Sequence, residues 1–136
     1  MVNEVMEFLS ECPLLKNRLL NVNYLSHRTG ACSLESTEGG AVIAKYADGA
    51  QRRRERFVFA AREAFSEDKG HNIAAAELFE GIRAWLAEKN AQGDLPALPE
   101  GCTAVSLLAE QGWRRSGSGS VDARYEMQLE LDYYME

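Results

Sequence analysis

The chain has 136 residues, the size of one ordinary domain, and its 46% hydrophobic and 26% charged residues exclude a disordered or collagen-like protein. Its net charge of −6 argues against a general nucleic-acid binder, whose domain would normally be basic. No apolar run approaches the length of a membrane span, and the acidic N-terminus is unlike a signal peptide, so we expect a cytosolic chain without membrane contact.

The N-terminal region predicts a short amphipathic helix followed by two strands. Apolar residues recur at helical spacing over residues 2–10. Pro13 stops this helix, because proline cannot donate a backbone hydrogen bond and disfavours helix before it. Alternation of apolar and polar residues predicts a first strand over residues 19–25 and a second over residues 32–36.

A β-hairpin is predicted next. Asp48-Gly49 lies between two strand-like segments, and glycine adopts the positive φ of such a turn without steric cost. The first arm covers residues 41–46. The second arm is charged on both sides over residues 51–56 and becomes apolar only afterwards, a pattern typical of a strand that is half buried and half projects beyond the core.

The clearest element is a long helix over about residues 72–90, with Asn72 as its N-cap. One broad apolar stripe runs along it. The stripe consists of Ala75, Leu78, Phe79, Ile82, Trp85, Leu86 and Lys89. Gly93 ends the helix, and the prolines that follow predict an extended connector over residues 94–99.

The last third of the sequence predicts a second hairpin. One strand covers residues 103–110, and residues 112–115 complete or bulge the same arm. Residues 116–120 are glycine and serine, which predicts a flexible, mobile hairpin tip. The return strand, residues 123–134, alternates apolar and polar residues over its whole length and is therefore expected to bury one face.

The order α-β-β-β-β-α-β-β predicts an α+β fold. We expect a single domain of residues 1–136, with an antiparallel β-sheet, a short N-terminal helix and one long helix packed on one face. The strands and helices do not alternate regularly, so a parallel, nucleotide-binding sheet is not expected.

Residue patterns that would support catalysis or metal binding are missing from the sequence. Its cysteines, Cys12, Cys32 and Cys102, are odd in number and far apart, which favours buried free thiols over a disulfide framework or a zinc site. Neither His27 nor His71 has a second ligand at metal-binding spacing.

No nucleophile-elbow motif or phosphate loop is present. The acidic pairs Glu35/Glu38 and Glu126/Glu130 are interpreted as solvated surface. We expect no catalytic, cofactor-binding or metal site, and no enzymatic activity.

A run of arginines is the one local charge anomaly in this acidic chain. It comprises Arg52, Arg53, Arg54 and Arg56. One interpretation is a solvated strand end that pairs with glutamates on a neighbouring strand. The other is an electrostatic contact with an acidic partner, with an adjacent subunit or with passing DNA.

Taken as a whole, the sequence resembles the small tail-completion proteins of long-tailed bacteriophages and related prophages, which include the tail terminators and head–tail joining proteins. The residues that carry the resemblance are the short N-terminal helix, the Asp48-Gly49-Ala50 hairpin that leads into residues 56–65, the helix around residues 79–86, and the closing strand 124–134. These are patterns of alternation over essentially the whole chain.

This resemblance implies a hexameric ring of identical subunits. The ring would cap the head-proximal end of the tail tube, stop its polymerisation and present a surface to the head connector or stopper protein. It implies neither catalysis nor a cofactor, and it places the protein in the neck of the virion after assembly in the host cytoplasm. Expected contacts of the subunit interface or lumen are Arg52, Arg53, Arg54, Arg56, Arg114, Arg115, Glu126 and Glu130, with transient, non-specific contact to passing DNA.

Three alternatives remain open. The first is another neck or tail-tube-associated protein. The second comes from a different class: a small-molecule-binding or enzymatic α+β domain with a cleft between the long helix and the sheet, which convergent polar residues buried on the sheet face would favour. The third is a monomeric bacterial regulatory module.

Overall fold

The computed structural model describes residues 1–37, 40–64, 73–118 and 122–136. Within these ranges the chain forms two α-helices, a 3-10 helix and seven strands, which confirms the predicted α+β class. The helices are α1 (Val2–Leu9) and α2 (Ile73–Ala91), and the 3-10 helix is Pro13–Leu15. The strands are β1 (Leu20–Val22), β2 (Cys32–Ser36), β3 (Ala41–Lys45), β4 (Gln51–Ala64), β5 (Cys102–Ala109), β6 (Arg114–Ser118) and β7 (Asp122–Met135).

Two long strands form the centre of the sheet. β4 and β7 have 14 residues each and pair antiparallel along their whole length, from Gln51↔Met135 to Ala64↔Asp122. β2 and β3 share the free side of β4, and β5 and β6 share the free side of β7. Each central strand therefore has two shorter neighbours, one after the other, along its outer side.

One strand pair departs from the predicted antiparallel sheet. β1 pairs with β2 in parallel, with Leu20 opposite Cys32 and Val22 opposite Leu34. The connection over residues 23–31 returns the chain to the level at which β1 begins, so β2 runs in the same direction as β1. The remaining pairs are antiparallel, and the Asp48-Gly49 turn joins β3 to β4 as predicted, with Gly49 at φ +92°.

The core lies between one face of the sheet and the two helices. Odd-numbered residues of β4 and β7 point into it, because side chains alternate along a strand. Its buried members from the strands include Leu34, Phe57, Phe59, Leu107, Tyr125, Met127, Leu129, Leu131 and Tyr133. The helices contribute Val5, Phe8 and Leu9 from α1 and Ala75, Leu78, Phe79, Ile82 and Leu86 from α2, which confirms the predicted stripe. Trp85 lies at the border, against Phe8 and beneath Lys89.

The segment after β5 differs from the predicted single arm. β5 ends at Ala109, Gly112 adopts φ +93°, and Trp113 packs against the core before β6 begins. β6 is thus a separate strand that follows β5 along the side of β7, and three strands follow α2 instead of two. It extends to Ser118, so the first three residues of the predicted tip belong to a strand, and residues 119–120 lie outside the described residues.

The outer edge of β5 is partly covered by α2. The Asn90 side chain accepts a hydrogen bond from the Leu107 N–H (2.9 Å) and donates one to the Leu107 carbonyl. It thereby takes the place of a neighbouring strand at this residue. An unpaired strand edge invites association with another chain, and Asn90 closes the β5 edge at Leu107.

Cys12 and Cys32 are buried and Cys102 is half-buried, and all three are free thiols, as expected. Burial raises the pKa of the Cys32 thiol to about 11. Several predictions fall outside the described residues: the Asn72 cap, His71 and Glu38. Among the residues that are described, neither helix has the length and apolarity that a membrane crossing requires.

Candidate functional site on the charged face of the sheet

The face of the sheet opposite the helices carries most of the predicted site residues. Strand alternation directs Arg52, Arg54 and Arg56 to this face, in register with Tyr134, Asp132 and Glu130 of β7. We call it the charged face. It comprises Arg52, Arg54, Arg56, Glu110, Glu130 and Asp132 as one cluster, and Glu35, Arg114, Arg124 and Glu126 as a second.

Asp132 is the centre of the first cluster. Arg54 donates two hydrogen bonds to its carboxylate, from Nε to Oδ1 (2.7 Å) and from Nη2 to Oδ2 (3.0 Å). Arg52 adds a longer one from Nη2 (3.4 Å). The side chain of Asp132 is only 7% exposed, and the Arg54 hydrogen bonds, against the opposing effect of burial, hold its pKa below the ordinary value.

Glu130 links the arginines of the first cluster. Its carboxylate lies 2.9 Å from Arg54 Nε and 3.3 Å from Arg56 Nε. Arg56 also lies 3.9 Å from Glu110, at the end of β5. The three arginines of this cluster therefore face three carboxylates, and the cluster is balanced in charge.

The second cluster connects three strands. Arg124 forms a bidentate pair with Glu35 (2.9 and 2.7 Å) and also contacts Glu126 (3.3 Å), to which Arg114 binds at 2.7 Å. The Arg124 hydrogen bond lowers the pKa of Glu35. Burial opposes the ionisation of Glu126, but the hydrogen bonds from Arg114 and Arg124 outweigh it and lower that pKa as well. This cluster is also balanced in charge.

The structure brings together six of the eight predicted residues: Arg52, Arg54, Arg56 and Glu130 in the first cluster, and Arg114 and Glu126 in the second. Arg53 and Arg115 do not join them. Arg53 lies on the helix-bearing face in register with Tyr133, and Arg115 is in register with the buried Tyr125. The run of arginines is therefore divided between two faces.

Four members of the charged face were absent from the predicted site: Asp132, Glu35, Glu110 and Arg124. Alternation in the terminal strand places Asp132 and Arg124 on the same face as Glu126 and Glu130, and this signal was present in the sequence. The contact between Arg124 and Glu35 depends on the register of three strands, which sequence alternation does not determine.

These arginine–carboxylate pairs hold neighbouring strands in register and form a polar surface. Within each cluster the charges of the arginines and carboxylates balance, so the two clusters together carry no net charge. Most of its side chains are partly exposed, so each pair contributes little to stability on its own, and Asp132 is the exception through its burial.

The helix-bearing face does not present a cleft of converging polar groups within the described ranges. Phe59, Phe79 and Trp113 fill the space between α2 and the sheet, with ring centroids 5.8 to 5.9 Å apart. The buried carboxylate on this side, Glu63, is paired with Arg18. The residues described also contain no group of three or more His, Cys, Asp or Glu side chains that could hold a metal ion.

A groove of about 380 Å³ follows the open edge of β5. It lies between the first residues of this strand and the connector that follows α2. Its lining presents both polar atoms and apolar side chains and consists of Gly93, Leu95, Pro96, Ala97, Leu98, Cys102, Thr103 and Ala104.

The lowered pKa values predict a loss of stability in acid. A carboxyl group with a lower pKa in the folded chain stabilises the fold above its unfolded pKa, and this stabilisation is lost as the pH falls through the folded value. The contributions of Asp132, Glu35 and Glu126 are therefore fully present above the ordinary values of 3.8 and 4.5 and decline below them. Urea unfolding at about pH 6 and about pH 3 measures the decline.

Glu35→Gln provides the matching variant, because it removes one of these titrating groups. We expect a smaller difference in stability between the two pH values than in the wild-type chain. Glu77→Gln, at an exposed carboxylate of α2, is the control and should behave as wild type. An identical pH dependence for Glu35→Gln and Glu77→Gln would contradict the prediction.

No protein-family model matches this sequence, and no curated protein sequence is significantly similar to it.

Proposed function

We propose that this chain is a non-enzymatic structural subunit of a ring at the head–tail interface of a long-tailed phage, with tail terminator as the favoured role. The observation that carries the proposal is the hairpin formed by β3 and β4. Four of the five residues of β3 are exposed, including the apolar Val42 and Ile43, so an apolar strand lies at the edge of the sheet without cover from the described residues.

Exposed apolar edges are unfavourable in a protein that acts as a monomer, because they promote association. In a ring they become subunit contacts, since closed homo-oligomers bury the same surfaces in every copy. The α+β architecture and the order of elements through β4 and α2 agree with those expected from the resemblance to tail-completion proteins.

In this proposal the charged face serves as a polar surface of the ring, toward the lumen or a neighbouring ring. Its ion pairs lie within one subunit, so assembly does not require them to be exchanged. The tail tube protein and the head connector or stopper protein are the expected partners, in the neck of the virion. Among the described residues, aromatic side chains fill the space between α2 and the sheet, where a small-molecule-binding or enzymatic domain would have its cleft.

The test combines light scattering with size-exclusion chromatography and electron microscopy of the resulting peak. We expect closed rings of about six subunits. Added to growing tail tubes of the phage or prophage that encodes the chain, the protein should bind one end and shorten the tubes relative to tubes grown alone. A chain that stays monomeric at high concentration and leaves tube length unchanged would contradict the proposal.

A further inference from the structure

We propose that copies of this chain associate head to tail, with β3 of one copy seated in the groove beside β5 of the next. This inference specifies the contact between subunits, and it rests on the oligomeric part of the proposed function. The occupant of the groove is thus the β3–β4 hairpin of a second copy.

The first contact surface is the edge of β3. Val42 and Ile43 are 41% and 39% exposed. Val42 is in register with Arg53, and through it with Tyr133, whose side chain belongs to the core. Val42 therefore points to the helix-bearing side of the sheet, which is also the side on which the connector after α2 borders the groove.

The second contact surface is the edge of β5. Asn90 occupies this edge at Leu107, so its open part is the stretch from Cys102 to Val105. Thr103 and Val105 are exposed there, Val105 by 42%. The groove of about 380 Å³ lies beside this stretch. Part of its lining comes from Leu95, Ala97 and Leu98 of the connector, and these apolar side chains can pack against those of β3, while polar atoms form the rest of the lining.

The two open edges lie at the same level on opposite sides of the sheet. We call residues that are paired one after another across the strands a row. Through β4 and β7, Ala41 of β3 is in the same row as Ser106 of β5, and Lys45 is in the same row as Cys102. The open part of β5 thus spans the rows that β3 spans, and the part covered by Asn90 lies beyond them.

Strand direction is also consistent with this contact. The order β3-β4-β7-β5 alternates in direction, because each of its three pairs is antiparallel. A copy placed beside another in the same orientation therefore brings its β3 next to the preceding β5 in antiparallel sense, with the helices of both copies on one face. Such a contact joins two different surfaces, and repeated contacts of this kind close into a ring when the rotation permits.

Both edge strands contain a bulge, at Ile43 in β3 and at Val105 in β5. Bulges interrupt the regular ladder and discourage indiscriminate pairing of edges. The contact therefore depends on side chains more than on a continuous backbone ladder, and replacing those side chains should disrupt it.

Three variants test the contact, each with glutamate at a position that is already about 40% exposed. Ile43→Glu alters the first surface and Val105→Glu the second. Leu108→Glu is the matched control, since Leu108 is 43% exposed on the same strand but lies past Asn90, in register with Glu130. We expect the first two to assemble only at concentrations about tenfold higher or more, because a charge would be buried in an apolar contact, while Leu108→Glu assembles as wild type. Circular dichroism verifies that each variant is folded.

Mixing the variants distinguishes a head-to-tail contact from a symmetric one. Ile43→Glu retains an intact β5 surface and Val105→Glu retains an intact β3 surface, so an equal mixture should form dimers, measured by light scattering, and nothing larger. Assembly of either variant by itself at the concentrations at which the wild-type chain assembles, or a mixture that stays monomeric there, would overturn the inference while rings of the wild-type chain still support the proposed function. Dimers in the mixture, together with unchanged tail-tube length, would support the contact and contradict the tail role.

Discussion

Replacing Glu63 with glutamine is expected to lower the free energy of unfolding by about 2–3 kcal/mol, because it leaves the charge of Arg18 in a partly buried site without its partner. Arg18 Nη1 lies 2.5 Å from Glu63 Oε1, and the two side chains are 25% and 9% exposed. Arg18 also donates to the Gly30 carbonyl at 3.2 Å. Burial opposes the charge of Arg18, but the hydrogen bond to Glu63 outweighs this effect and raises the pKa of the guanidinium.

The surface pair Arg83–Glu80 provides a matched control, since it joins the same two residue types at 3.7 Å with side chains that are 36% and 56% exposed. Glu80→Gln should cost less than about 0.5 kcal/mol. The double variant Arg18→Met with Glu63→Leu should recover most of the stability lost by Glu63→Gln, because no unpaired charge remains. Urea unfolding measures all of these, and equal losses for Glu63→Gln and Glu80→Gln would refute the prediction.

Sequence patterns predicted the elements whose period is long and regular. The terminal strand alternates over its full length, and β7 pairs with β4 at every one of the 14 rows, so the alternation reflects one buried face. The stripe on α2 is equally regular, and its central members, Phe79 and Ile82, are fully buried. In both cases the residues that create the pattern are those that the core contacts.

Contacts between segments that are distant in the sequence could not be predicted from these patterns. The division of the arms beside β7 into β5 and β6 depends on Trp113, which turns into the core and stacks on Phe79 (5.8 Å between ring centroids). The parallel pairing of β1 depends on where the chain returns after residue 22. Neither is encoded in local periodicity, since each is decided by packing against elements far away in the sequence.

The charged face was predictable from the sequence in one respect and not in another. Alternation alone separates Arg53 from Arg52 and Arg54, so the division of the arginine run between two faces follows from the strand assignment. Which carboxylate each arginine meets depends on register, and register fixes the row that joins Arg54 to Asp132. The sequence interpretation in which the arginines pair with acids on a neighbouring strand is confirmed for Arg52, Arg54 and Arg56, and their role between subunits stays a prediction.

The largest effect that we expect comes from Phe79→Ala, which should reduce the free energy of unfolding by about 3–5 kcal/mol. Phe79 is fully buried and joins a series of aromatic contacts: Phe59 on β4 (5.9 Å between centroids), Trp113 between β5 and β6 (5.8 Å), and through Trp113 the ring of Tyr125 on β7 (5.6 Å). Removing the ring opens a cavity where α2, β4 and β7 meet.

Phe79→Leu keeps most of the volume and should cost about 1–1.5 kcal/mol, and this difference separates the cavity from a general intolerance of substitution. In a Trp85→Phe background the long-wavelength tryptophan bands of the near-ultraviolet circular dichroism report on Trp113, because the chain has two tryptophans. We expect Phe79→Ala to weaken the Trp113 signal, since Trp113 loses its stacking partner, and to leave the stretch of residues 41–45 at the sheet edge unaffected. A variant that unfolds at wild-type urea concentrations would mean that the aromatic series does not hold the helix to the sheet.

If Phe79→Ala folds and still forms rings, the contact through β3 and β5 is independent of this core, as expected from its location at the edges of the sheet.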